Sequence, residues 1–304
     1  RGNNVLNLIW LVRMIDLREP IPLHIRRHVK PLALFAAQSI ATSIYLFFDS
    51  ILLGMLSSDN VQVGFYQLAA KLKGVCWSVI NAIVGVLVPR LSYYAKHSIR
   101  QYHELTRKGF GIIGNLCLGL CCYLVVEAKP LTVWVSTAKY LDAVAAVRII
   151  GLVSLFSCMS TFLASCILTP LDREDKLAIA NMAGVPISLA GNLLLDARLG
   201  ATGAALSMLA AEIVIFILQT RYSWDVLRKS VGPGRLVRMG CCHACATAAL
   251  LALLCGAPAA IGCAWQTMIG MATYCAVWLL AGIALHEETV SWAVGMLRNL
   301  PAKR

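Results

Sequence analysis

Long apolar stretches broken by polar residues at helical spacing run through most of this sequence. Searching for apolar runs of about twenty residues, the length of a membrane-crossing helix, predicts eight spans. They cover approximately 31–56, 63–89, 105–127, 144–169, 177–196, 201–221, 237–256 and 260–284. From Met239 to Leu285 there is no Asp, Glu, Lys or Arg. That is too long for one crossing, so Gly256 and Pro258 are expected to turn the chain between the last two spans. The tail HEETVSWAVGMLRNLPAKR sets Trp292, Val294 and Met296 among charges, the pattern of a short interfacial helix.

Polar positions inside these spans are not scattered. In the first, Gln38, Thr42, Tyr45 and Asp49 recur at steps of four, three and four. In the second, Gln67, Lys71, Gly74, Ser78, Asn81 and Gly85 do the same. Ionisable groups at membrane depth are costly and normally face protein or a water-filled cavity, so these stripes predict cavity-lining faces. Asp49 and Lys71 each lie roughly 10–12 Å below the surface by helical rise, at similar heights on adjacent helices, so the two could pair. The fourth span carries Arg148, Gly151, Ser154, Cys158, Thr161 and Ser165 at steps of three or four. The fifth carries Asn181, Gly184, Ser188 and Asn192, with Pro186 expected to kink it. The small and hydroxylated positions also suit close helix packing, and Arg148 is placed to snorkel to the outer surface. Glu212, an acid near the middle of the sixth span, is expected to be protonated, paired or in water, which makes it the candidate coupling residue.

Composition changes the picture little. The 304 residues are 59% hydrophobic and 14% charged, which places the chain among all-α polytopic membrane proteins. The net charge of +12 does not predict a nucleic-acid partner, because the cations are sorted. Of the 27 Lys and Arg, 21 fall in alternate loops and the tail (1–30, 90–108, 173–176, 221–238, 298–304). Only Lys129, Lys139 and Arg198 fall in the others, and Lys71, Lys73 and Arg148 lie in or beside spans. This asymmetry predicts that the basic loops and both termini are cytoplasmic. A start at Arg1 without a signal-peptide layout leads us to expect a longer protein with more chain upstream.

Most of the twelve Cys lie inside spans, where they act as small apolar residues. The run Cys241, Cys242, His243, Cys245 lacks the paired spacing of a zinc site, and no metal or other cofactor is expected. There is no phosphate-binding loop, dinucleotide glycine motif, zinc-protease motif or nucleophile elbow. Short loops leave no room for a catalytic domain, so transport or scaffolding is expected rather than enzymatic chemistry.

The run Arg26-Arg27-His28-Val29-Lys30-Pro31, then ATSIYLFFDSILLGML, VGFYQLAAKLKGV and VPRLSYY, resembles the second half of bacterial polysaccharide (O-antigen-type) flippases of the multidrug/oligosaccharidyl-lipid/polysaccharide exporter superfamily. TPLDREDK and GNLLLDARLGATGAALSMLAAE continue the likeness to about residue 222. The resemblance implies two six-helix lobes around a central cavity with two appended helices. Residues 1–30 would link from a first lobe, 31–222 would form the second lobe, and 223–304 would carry a cytoplasmic loop, the appended pair and a tail. It further implies that a polyprenyl-pyrophosphate-linked oligosaccharide is flipped across the bacterial inner membrane by alternating access. A proton or sodium gradient would drive the movement, and polysaccharide polymerase machinery would be a partner. Gln38, Thr42, Tyr45, Asp49, Gln67, Lys71, Ser78, Asn81, Arg148, Asn181 and Asn192 would line the cavity, and Glu212 would couple transport to the ion. A multidrug extruder or a peptidoglycan-precursor flippase shares the fold, the former favouring acidic and aromatic cavities. A membrane glycosyltransferase or polymerase would need a large external loop or an acid cluster, and a structural assembly partner remains as the alternative of another class.

Overall fold

The computed structural model describes residues 48–57, 59–256 and 262–298. The chain divides at Phe48/Asp49, and the helices below belong to the unit that begins at Asp49. Most of the first expected span, with Gln38, Thr42 and Tyr45, lies outside the described residues, as does Pro258.

Among the described residues the protein is helical and has no strands. Residues 49–56 lie in a helix, α1. There follow α2 (Val61–His97), α3 (Ile99–Val126), α4 (Ala128–Val135), a 3-10 turn (Ala138–Ala143) and α5 (Val144–Leu163). Next come α6 (Glu174–Leu199), α7 (Ala201–Tyr222), α8 (Trp224–Ser230), α9 (Pro233–Gly256), α10 (Cys263–Ala284) and α11 (Glu288–Arg298). Seven of the helical segments are long and apolar enough to cross a membrane, and they coincide with the second to eighth expected spans. The protein is an all-α polytopic membrane helix bundle.

Two short helices occupy what the sequence suggested were loops. The first, α4, follows α3 directly, and the second, α8, buries Val226 and Leu227 against the core. α2 is 37 residues long, about 55 Å at the helical rise, and therefore outruns a hydrocarbon core of about 30 Å. Its surplus carries Lys96 and His97 in the last turn, where cations complement the helix dipole. α6 runs without a break through Pro186. α5 ends in a π-helical stretch, Ala164–Leu168, just before Pro170. Proline has no N–H to donate, and the wider turn accommodates the interruption of the hydrogen-bond ladder.

α5 sits at the centre, buried on most sides against α2, α3 and α7. One apolar cluster joins α2, α3, α5 and α8 around Ile80, Ile113, Phe162 and Leu227. A second joins α1, α2, α5 and α7 around Leu53, Phe65, Ile150 and Ala204. α6 and α7 pack closely because glycines let their backbones approach. A Cβ on Gly203 would stand 2.6 Å from the carbonyl oxygen of Leu195, and one on Gly191 would stand 2.7 Å from Ser207 Oγ. Their turn is made by Gly200 at φ +55°, a conformation that favours glycine. Gln62 Oε1 accepts from the Ala201 amide there (3.1 Å) and ties the start of α2 to the turn.

The pair α9 and α10 packs on α3 through Tyr123, Ala246, Leu250 and Tyr274. Polar ties fix its register. Tyr123 donates to the Thr267 carbonyl (2.8 Å), and His243 lies 2.8 Å from the Tyr274 hydroxyl and 3.2 Å from Asn115 Oδ1. Both ring nitrogens of His243 are thus engaged by the packing, while Cys241 and Cys245 are exposed.

Candidate functional site

Polar residues of α1, α2, α6 and α7 meet in one layer, and Asp49 is its centre. Asp49 Oδ1 accepts from Ser188 Oγ (3.0 Å) and Asn192 Nδ2 (2.7 Å), and Oδ2 accepts from the Tyr66 hydroxyl (3.1 Å). One turn beyond Asn192 on the same face of α6 stands Asp196, only 1% exposed, with no partner for either carboxylate oxygen among the described residues. Asn192 Oδ1 likewise has none. Beside Asp49, Ser50 Oγ accepts from Gln67 Nε2 at 2.7 Å.

The ion pair that Asp49 and Lys71 could have made is not formed. Lys71 is exposed, and the lysine that faces this layer is Lys73, whose Nζ lies 3.1 Å from Glu212 Oε1. Helix geometry explains the exchange. Tyr66, which touches Asp49, and Lys73 are seven residues apart and point within about 20° of one another, whereas Lys71 is turned about 140° from Tyr66. Glu212 is therefore not a lone acid. Its side chain and that of Lys73 are 17% and 15% exposed, so the pair is largely desolvated. Met208 stands one turn from Glu212 and links the halves of the layer, with its sulfur 3.5 Å from the Tyr66 hydroxyl and 3.8 Å from Lys73 Nζ.

The structure thus brings Asp49, Gln67, Asn192 and Glu212 together and adds Tyr66, Lys73, Ser188 and Asp196. Spacing alone carried signals for the additions: Tyr66 and Lys73 at i, i+7, and Asn192 and Asp196 at i, i+4. The other expected residues that the structure describes lie elsewhere. Lys71 and Ser78 line an exposed face of α2, where a Cβ on Gly74 or Gly85 would meet nothing within 4 Å. Asn81 on the same helix is half-buried. Arg148 is exposed and makes no ion pair among the described residues. Asn181 accepts from Gln219 Nε2 (3.2 Å) and serves the α6/α7 contact.

Buried acceptors without donors cost about 1–3 kcal/mol each, and more when ionised. A proton or a small monovalent cation shared by Asp49, Asn192 and Asp196 would remove that cost. The layer therefore has the chemistry of a cation or proton site, while the open face of α2 presents an amine and hydroxyl suited to anionic and sugar groups.

Residues 23–95, roughly a quarter of the chain, match the family model described as "Polysaccharide biosynthesis protein". The matched segment holds Asp49, Tyr66, Gln67, Lys71 and Lys73, and the match supports, at the level of the family, the resemblance read from the sequence. No curated protein matches the chain.

Proposed function

We propose that the protein translocates a polyprenyl-pyrophosphate-linked oligosaccharide across the bacterial cytoplasmic membrane for cell-surface polysaccharide synthesis, by alternating access. Both termini are on the cytoplasmic side in this reading, and a polysaccharide polymerase is the partner that receives the product. The observation that carries it is the buried layer around Asp49, set behind the exposed cationic face of α2 within a segment that matches a polysaccharide biosynthesis family.

Lys71 and Arg148 are exposed and free to meet the pyrophosphate, and Ser78 and Asn81 offer hydroxyl and amide groups to sugars. The lipid tails stay in the bilayer. Coupling falls to Asp49, Asn192 and Asp196 rather than to Glu212, because the Glu212 carboxylate is already taken by Lys73. Binding a cation between two acids on α1 and α6 changes their mutual repulsion, and this biases the packing of the helices that hold them. A second reading, extrusion of an organic cation, draws on the acids and Tyr66 gathered in the same layer.

The test is transport in proteoliposomes containing the full-length protein, with an imposed proton or sodium gradient. Asp196→Asn should bind the lipid-linked donor yet lose acceleration by the gradient. Lys71→Ala should lower transport and keep its ion dependence. A wild-type gradient response in both Asp49→Asn and Asp196→Asn refutes the coupling site, and gradient-driven movement of organic cations but not of the donor favours the second reading.

A further inference from the structure

The mouth of the bundle on the basic-loop side holds a second polar site that shares no residue with the layer around Asp49. There the first turns of α3, the start of α9 and the beginning of α11 enclose a cavity of about 540 Å³. Arg235 is built into its wall. The side chain is 6% exposed; Nη1 donates to the Arg107 carbonyl (2.8 Å) and Nη2 to Thr289 Oγ1 (3.2 Å), while Nε has no partner among the described residues. Gly111 makes room for it, since a Cβ there would collide with the guanidinium.

Charge around the cavity does not cancel. Glu288 takes both Nε and Nη2 of Arg107 (3.1 and 2.7 Å) and stands 3.5 Å from Arg235, and Glu104 takes Lys108 (2.7 Å). Glu287, which accepts from Thr289 Oγ1 (3.0 Å), makes a third carboxylate, and Arg238, which donates to the His286 carbonyl (3.4 Å), makes a fourth cation, so one positive charge is left over. The N-terminus of α11 is not the attraction, because Glu287 Oε2 already accepts from the amides of Thr289 and Val290 (2.8 and 2.9 Å). The remaining wall is amphipathic: Ile112 and the half-exposed Trp292 stand beside the Ser291 hydroxyl. A guanidinium, an ammonium and a hydroxyl next to a tryptophan, at helix ends on the basic side, match a phosphate at headgroup depth.

We propose that this cavity binds the phosphate of an anionic phospholipid of the cytoplasmic leaflet, and that the bound lipid ties α9 and α11 to α3. The site serves whatever cargo the protein carries.

Native mass spectrometry of the detergent-purified full chain tests it, with phosphatidylglycerol, cardiolipin or phosphatidylcholine added at equal concentration. The surplus charge predicts that the two anionic lipids bind about fivefold tighter than phosphatidylcholine. Arg235→Gln should weaken their binding at least about tenfold, since it removes a charge-assisted phosphate contact. Lys108→Gln, at a half-exposed position whose loss leaves folding intact, should weaken it about fivefold; it carries the test alone if Arg235→Gln fails to fold by circular dichroism. Equal binding of all three lipids, or unchanged binding in Lys108→Gln, overturns the proposal. Displacement of the lipids by millimolar inorganic phosphate also overturns it, by showing a site for free phosphate instead.

Discussion

Removing one member of the Lys73/Glu212 pair should destabilise the bundle more than removing both would suggest. Two unit charges 3.1 Å apart attract by about 5 kcal/mol at an effective dielectric of about 20. Desolvating each ion costs several kcal/mol, so the intact pair is close to neutral against an apolar replacement. A single substitution strands the other charge among Met208 and the apolar residues between α2 and α7. For a fully enclosed pair that loss is about 3–5 kcal/mol; here the 15% and 17% exposures allow partial rehydration, and about 1–3 kcal/mol is expected. Lys73→Met and Glu212→Gln should each lower the unfolding temperature in detergent micelles by several degrees. The double substitution should cost no more than either single one, which corresponds to a coupling energy of at least about 1–3 kcal/mol. Thermal unfolding of the four proteins, followed by circular dichroism, gives that energy directly. Additive single effects, or two neutral single substitutions, would refute the reasoning and reduce the pair to a weakly interacting surface contact.

Gly203→Ala should destabilise by about 1–3 kcal/mol, because its methyl would press on the Leu195 carbonyl and force α6 from α7; thermal unfolding checks this. Asp225 is held below its ordinary value near 3.8 by its two-pronged hydrogen bonds from Arg173 (2.8 and 2.7 Å). A depressed pKa contributes stability that is full above that ordinary value and lost as the pH falls through the lower folded value. The difference in unfolding temperature between wild type and Asp225→Asn should therefore be present at pH 7 and shrink toward pH 3. On a Cys-depleted background, cysteines placed at positions 59 and 139 should react with an impermeant reagent from outside and one at position 108 from inside. Labelling of position 59 from inside alone would invert the proposed topology.

The sequence by itself determined the second to eighth span positions, because crossing a membrane imposes about twenty apolar residues regardless of neighbours, and the signal is contained within each segment. It also located part of the polar layer. Asp49, Gln67, Asn192 and Glu212 all stand in the layer, since polar groups at membrane depth are rare enough to be read one helix at a time. Pairing was another matter. The choice between Lys71 and Lys73 depends on which face of α2 meets α1 and α7, and two residues rotate a side chain by about 200°. Asp196 read only as the last residue of the fifth span, yet α6 extends to Leu199 and buries it beneath the Gly200 turn. Arg235 read as one more cytoplasmic cation. Only the convergence of α3, α9 and α11, with the space left by Gly111, turned a topological marker into the wall of a cavity, because burial belongs to the neighbours a side chain meets and not to its own segment.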